Sequence, residues 1–135
     1  MIRYLLDTNI LSYFIKGISP ALMRHMAEAT QAQTIATSAI GRAELRYGQG
    51  LMAADDKRRV PIDLLLLELP VLPWTVEAAD IYGAIKSQHK RQGTPIGEMD
   101  TQIAAHALAE KLILVTHNTR HFERVPGLKL EDWLL

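Results

Sequence analysis

The chain has 135 residues, 48% hydrophobic and 22% charged, with 15 acidic and 15 basic side chains and so no formal net charge. That length suits one compact domain with a proper core, and the composition excludes a disordered chain. The absence of cysteine excludes disulfides, thiolate zinc sites and cysteine nucleophiles, while the balanced charge leaves only local patches or metal ions to hold a nucleic acid.

Residues 2–6 read as a buried strand, and residues 8–15 as a helix with Ile10, Leu11, Phe14 and Ile15 at helical spacing. Gly17 ends that helix, and Ser19-Pro20 opens the next, over 20–32. "TIATS" is a short strand, after which Ser38 caps a helix running to about residue 52. The polar hinge "ADDKRR" leads to a helix over 61–67, and "PVLPW" gives a short strand on a proline-marked edge. Thr75 caps a helix reaching about residue 91, with Val76, Ala79, Tyr82 (or Ile81), Ile85 and His89 along one stripe. "RQGTPIGEMD" is a loop, 100–111 a helix, "LILVT" a second buried strand and "LKLEDW" a final one.

Strands that alternate with helices, and whose apolar runs are continuous, predict a parallel sheet covered on both faces. The expectation is a single α/β domain, a three-layer α/β/α arrangement around a central, mostly parallel sheet. The greasiest segment, "LLLLELPVLPW", is broken by Glu68, Pro70 and Pro73 before it could span a bilayer. The amino terminus shows no targeting pattern, so no membrane association and a cytoplasmic location are expected.

Open sheets of this kind bind ligands beyond the carboxyl ends of their strands. Asp7 ends the first strand, and Asn118 follows "LILVT". In "SAIGRAELRYGQGL", Ile40, Ala43, Tyr47 and Leu51 form an expected apolar stripe that Glu44 shares. In "MDTQIAAHALAEK", Ile103, Ala104, Ala107 and Leu108 form another, and Asp100 leads it by three and four residues. Taken singly, Asp7 and Asp100 are explained as helix caps and Asn118 as a turn residue. A glutamate at a stripe's edge can also reach solvent.

Together they predict three acids converging near one strand end. Clustered carboxylates without a lysine partner repel one another unless a hard divalent cation sits between them. Magnesium takes oxygen ligands, commonly a few carboxylates plus substrate phosphate. The chemistry implied is phosphodiester hydrolysis.

Two rival readings follow from the same residues. A phospho-signalling receiver module shares the length and the strand-end acids, but it wants an acid pair after the first strand and a lysine after a later one. Leu6-Asp7 and Thr116-His117-Asn118 stand in those places. A zinc site on His117 and His121, four residues apart, has usable spacing but lacks the glutamate of an HExxH motif.

"LLDTNIL", "SAIGRAELRYG", "GTPIGEMDTQIAAHAL" and "LVTHNTRHFERVPGLKLEDW", in that order and over essentially the whole chain, resemble the PIN-domain family, and within it the VapC ribonuclease toxins of type II toxin–antitoxin modules. The resemblance implies a metal-dependent endoribonuclease that cuts a structured RNA, commonly a transfer RNA, and is silenced by a cognate VapB antitoxin. It implies magnesium as cofactor, with manganese able to substitute, and a homodimer.

The family's acids fall on Asp7, Glu44 and Asp100, and its fourth polar position, often aspartate, on Asn118. That departure puts a tightly held second metal in doubt. Asp7 and Asp100 are expected as principal ligands, with Glu44 binding metal-bound water and assisting deprotonation. Thr8 and Ser38 are expected to support the site with hydroxyls. Arg42, Arg46, Arg120 and Arg124 are candidates for RNA phosphates, with a solvated surface as the alternative for each. Leu11, Phe14, Ile15, Leu65 and Leu67 fit either a groove for an antitoxin helix or the domain's own core. An inactive relative would lack one of the three acids, and all three are present. A PIN-like nuclease outside a toxin–antitoxin system remains the other reading within the family.

Overall fold

The computed structural model describes all residues 1–135. Five strands form one sheet: β1 (Tyr4–Leu6), β2 (Ile35–Ser38), β3 (Val71–Leu72), β4 (Ile113–Val115) and β5 (Leu130–Glu131). Seven helices connect them: α1 (Thr8–Lys16), α2 (Pro20–Ala32), α3 (Ala39–Gly50), α4 (Arg59–Glu68), α5 (Val76–Gln92), α6 (Glu98–Ala109) and α7 (Thr119–Phe122). The strand order is β3-β2-β1-β4-β5, and every pairing is parallel.

Parallel pairing fixes where the core lies. Leu5 and Leu6 on the central strand are both fully buried but belong to opposite faces. Leu6 and Val115 pack with Leu11, Leu22, Met26, Leu45, Ile62 and Leu66 from α1–α4. Leu5 and Leu114 pack with Ile85, Ile103, Ala104 and Phe122 from α5–α7. The alternation of side chains along each strand thus feeds two cores, which gives the expected three layers. No helix is long and apolar enough to cross a membrane.

Connections leave β1 toward β2 on one side, and β4 lies on its other side. Their carboxyl ends flank the point where the strand order reverses, the place where open α/β sheets make clefts. Asp7 and Thr116 are the residues that follow those two strands. The order also differs from the 2-1-3-4-5 arrangement of receiver modules, which removes that rival.

Several local expectations are corrected. On α3 the buried residues are Gly41, Leu45 and Gln49, while Tyr47 and Leu51 are 71% and 72% exposed. Tyr47 and Leu51 do not mark its inner face: Gly41 sits close against the Thr37 hydroxyl of β2, and Gln49 finds polar partners in Asp63 and the Arg59 carbonyl. On α5, Val76 and Ala79 are exposed, and Ala78, Ile85 and His89 are buried. The sixth helix begins at Glu98, so Asp100 is its third residue and not its cap; Gly97, at φ 98°, holds the cap position. Asn118 opens a helical turn, α7, where a plain turn was expected.

Candidate active site

Asp7 stands where β1 gives way to α1. Its backbone is still extended, and Oδ1 accepts the Ile10 N–H at 2.8 Å, the usual service of a cap. A neutral cap would do this equally well. The aspartate also brings a charge to a position that is only 5% exposed, and burial raises its carboxyl to about 6. Hydrogen bonds from the Thr116 hydroxyl and the Ile10 N–H pull it back down, while the charges of Asp100 and Glu44 push it further up. No cation is among these influences.

Glu44 is half-buried on α3, where its Oε1 accepts the Thr8 hydroxyl at 2.7 Å. It lies three residues after Gly41, on the same helical face. A Cβ at position 41 would stand 2.7 Å from the Thr37 hydroxyl oxygen and 3.6 Å from that of Thr8. The Thr37 hydroxyl donates to the Leu6 carbonyl at 3.2 Å. Glycine therefore lets α3 press against Thr37 of β2 and the start of α1.

Asp100 lies in the first turn of α6 with its side chain 42% exposed, and its Oδ2 is 3.0 Å from Nε2 of His121 on α7. Partial burial raises its carboxyl, and the charge and hydrogen bond of His121 act against that shift. Glu44 and Asp100 thus both lie within electrostatic reach of Asp7, but no three His, Cys, Asp or Glu side chains form a closed metal-binding cluster. The expected convergence is looser than a ligand cage. Glu44 is drawn to a hydroxyl and Asp100 to an imidazole.

A PIN-domain family model matches residues 4–128. The chain belongs to the PIN-domain family. It is 38% identical over 133 residues to the tRNA(fMet)-specific endonuclease VapC of Shigella flexneri, a match covering 98% of this chain and 99% of that one. Ribonuclease VapC2 of Rickettsia felis is 34% identical, with 96% and 97% covered. Among solved structures, DNA-bound VapBC from Salmonella typhimurium aligns with a TM-score of 0.90 at 34% identity, covering 98% and 99% of the two chains. Within the PIN-domain family the chain is a ribonuclease of the VapC type.

In this PIN domain the remaining expected residues separate into those near the acids and those engaged elsewhere. Asn118 is exposed beyond β4, and its N–H donates to the Thr116 hydroxyl oxygen at 3.0 Å, one link removed from Asp7. Ser38 is fully buried, caps α3 through Ile40 N–H at 2.9 Å, and meets His106 Nδ1 at 2.7 Å. It sets where α3 begins and touches no carboxylate of the site. Arg42 donates to the Leu66 carbonyl, and Arg46 pairs with Asp63 at 2.6 Å. Both arginines tie α3 to α4 and are already occupied. Arg120 and Arg124 are exposed around α7.

The two histidines of the zinc reading take separate partners, His117 with Asp132 and His121 with Asp100. Sequence reasoning missed Thr116 and Gly41 as parts of the site, and it did not connect His121 to Asp100. The glycine in "SAIGRAEL", on the same helical face as the glutamate three residues later, was the one available signal.

Proposed function

We propose that this VapC-type ribonuclease is the toxin of a type II toxin–antitoxin pair, and that it hydrolyses phosphodiester bonds of transfer RNA at a divalent-ion site built on Asp7, Glu44 and Asp100. The observation that carries this reading is Asp7: a carboxylate buried at a strand end, without a cationic partner, and pressed by two further negative charges. Such a group favours a bound cation. The donors are all oxygens, which fits magnesium, with manganese able to replace it.

Asp7 and Asp100 would hold the ion, which supplies Lewis acidity at the scissile phosphodiester. Glu44, with Oε1 engaged by Thr8, has Oε2 to accept a proton from the attacking water. The Asn118 amide, exposed at the end of β4, can donate to a phosphate oxygen. Arg120 and Arg124 attract the RNA backbone from α7. With asparagine at 118, the site has three acidic ligands and suits one tightly held ion.

The partner half of the reading rests on another feature. A groove of about 900 Å³ on the α1–α2–α4 side is lined by Phe14, Met23, Met26, Leu65 and Leu69. It suits an amphipathic antitoxin segment, in keeping with relatives solved as VapBC. Of the apolar residues expected there, Phe14 and Leu65 line it, whereas Leu11 is fully buried and Leu67 is 81% exposed. A homodimer completes the proposal, with the exposed Tyr47 of α3 and Leu51 just beyond it available to a second copy.

Purified protein should cut total transfer RNA with magnesium, at positions readable by mapping new 5′ ends, and Asp100→Asn should not. Expression alone should arrest a bacterial host, and the adjacent antitoxin frame should relieve the arrest. Cleavage that persists in Asp100→Asn, or in excess chelator, rejects the metal site. Growth unaffected by active enzyme rejects the toxin role.

A further inference from the structure

His121 bridges Asp100 and the loop that precedes α6. Its Nε2 lies 2.5 Å from the Ile96 carbonyl and 3.0 Å from Oδ2 of Asp100. Both partners are acceptors, so Nε2 carries the proton and shares it between them. One ring nitrogen thereby joins three pieces of chain: the 93–97 loop, the first turn of α6, and α7.

Each piece is otherwise well seated. Ile96 is 4% exposed, so its carbonyl is a fixed point. The Gly97 carbonyl accepts both the N–H and the hydroxyl of Thr101, which starts α6 at a set place. On α7, Phe122 is buried beside His121, and the Asn118 carbonyl accepts both of their N–H groups. What the backbone does not set is the rotamer of Asp100. Its side chain is 42% exposed and could turn to water, as side chains with an open neighbour do.

We propose that His121 is a positioning residue for RNA cleavage, holding Oδ2 of Asp100 against the fixed Ile96 carbonyl so that Oδ1 faces the Asp7 side of the cleft. The imidazole does not touch the reacting atoms. It acts through Asp100, as hydrogen-bond partners of metal-binding carboxylates do, and the inference rests on Asp100 belonging to the site. A purely structural histidine would need only the carbonyl. The second bond, to a half-exposed carboxylate, adds little to a fold already anchored by Ile96 and Phe122.

The test compares His121→Ala, His121→Gln and Asp100→Asn in the full chain. Glutamine is informative because its Nε2–H reaches about as far as the histidine Nε2–H and can restore the shared donor. Cleavage of transfer RNA gives kcat and KM, calorimetry with manganese on the RNA-free protein gives ion affinity, and thermal melts report the fold. His121→Ala should lower kcat and manganese affinity by about ten- to a hundredfold with KM for RNA unchanged, and His121→Gln should regain most of both. If alanine leaves kcat and affinity at the wild-type level, or glutamine falls as far as alanine, His121 does not position Asp100. Wild-type cleavage by Asp100→Asn would instead overturn the site itself.

Discussion

The Thr8 hydroxyl donates to Oε1 of Glu44 at 2.7 Å, across 36 positions of sequence, and so joins the first turn of α1 to the second turn of α3. It leaves Glu44 oriented by a neutral donor, with its charge uncompensated by a lysine or arginine. Thr8→Val keeps the shape and removes the donor. A hydrogen bond to a charged group contributes about 1.5–3 kcal/mol when well buried, and this one is partly exposed. The expected result is a fall of about tenfold in kcat, near the lower end of that range, with Thr8→Ser close to wild type. Equal activity in the valine and serine variants would show that the bond does not orient Glu44.

Gly41 and Gly48 both lie on α3, yet they should respond oppositely to alanine. At position 41 the new Cβ would stand 2.7 Å from the Thr37 hydroxyl oxygen, itself bonded to the Leu6 carbonyl, so neither can yield easily. Gly41→Ala should destabilise by about 1–3 kcal/mol and lower cleavage by displacing Glu44. Nothing lies within 4 Å of a Cβ at position 48, and Gly48→Ala should gain roughly 0.5–1 kcal/mol from helix propensity alone. Urea denaturation of the two variants checks the sign of each.

These glycines also show where the sequence was legible and where it was not. The strands and helices could be read because apolar runs alternate with capped periodic segments, and Asp7, Ser19, Ser38 and Thr75 do cap helices with their side chains. The apolar stripe that sets Glu44 inward in the sequence is not the buried face of α3. Tyr47 and Leu51 are bulky, apolar and exposed, whereas a glycine and a glutamine are inside. Periodicity reports which side chains prefer burial. It does not report a contact so close that only a hydrogen fits. The Asp100–His121 pair was hidden for a related reason, because its geometry depends on Phe122 seating α7 against β4 and α6, a tertiary fact.

Asp7 should cost the ion-free protein stability at neutral pH. Its carboxyl rises from 3.8 to about 6, chiefly through burial. The folded state therefore binds the proton more tightly than the unfolded chain. The stabilisation is fully present below pH 3.8, and it is lost as pH rises through about 6. The difference corresponds to roughly 3 kcal/mol. Asp7→Asn keeps an Oδ1 to accept the Ile10 N–H while removing the charge. It should be inactive, yet more stable than wild type at pH 7 in chelator, with the advantage shrinking toward pH 4. Chemical denaturation at the two pH values measures it, and an Asp7→Asn protein less stable at both would contradict the assignment of burial as the cause.

A divalent ion should reverse that penalty. Bound magnesium or manganese stabilises the folded chain by mass action, about 2.7 kcal/mol at a hundredfold excess over Kd, and chelator should remove the gain together with cleavage. Protons and the ion compete for Asp7, so the ion-induced rise in melting temperature should fade as pH drops below about 6. A rise that persists undiminished at pH 4.5 would place the ion away from Asp7.

Met23 offers a way to separate the groove from the nuclease site. It is 39% exposed and lines the apolar groove with Phe14 and Leu65, on the α1–α4 side of the sheet. A glutamate there would put a charge where the proposed antitoxin segment would seat its apolar anchors, while disturbing little that is already buried. Met23→Glu should therefore cleave transfer RNA at the wild-type rate and melt within a few degrees of wild type. It should fail to copurify with the coexpressed antitoxin, and the host should stay arrested in the antitoxin's presence. Rescue of growth by the antitoxin at wild-type efficiency would mean that the partner docks on another face.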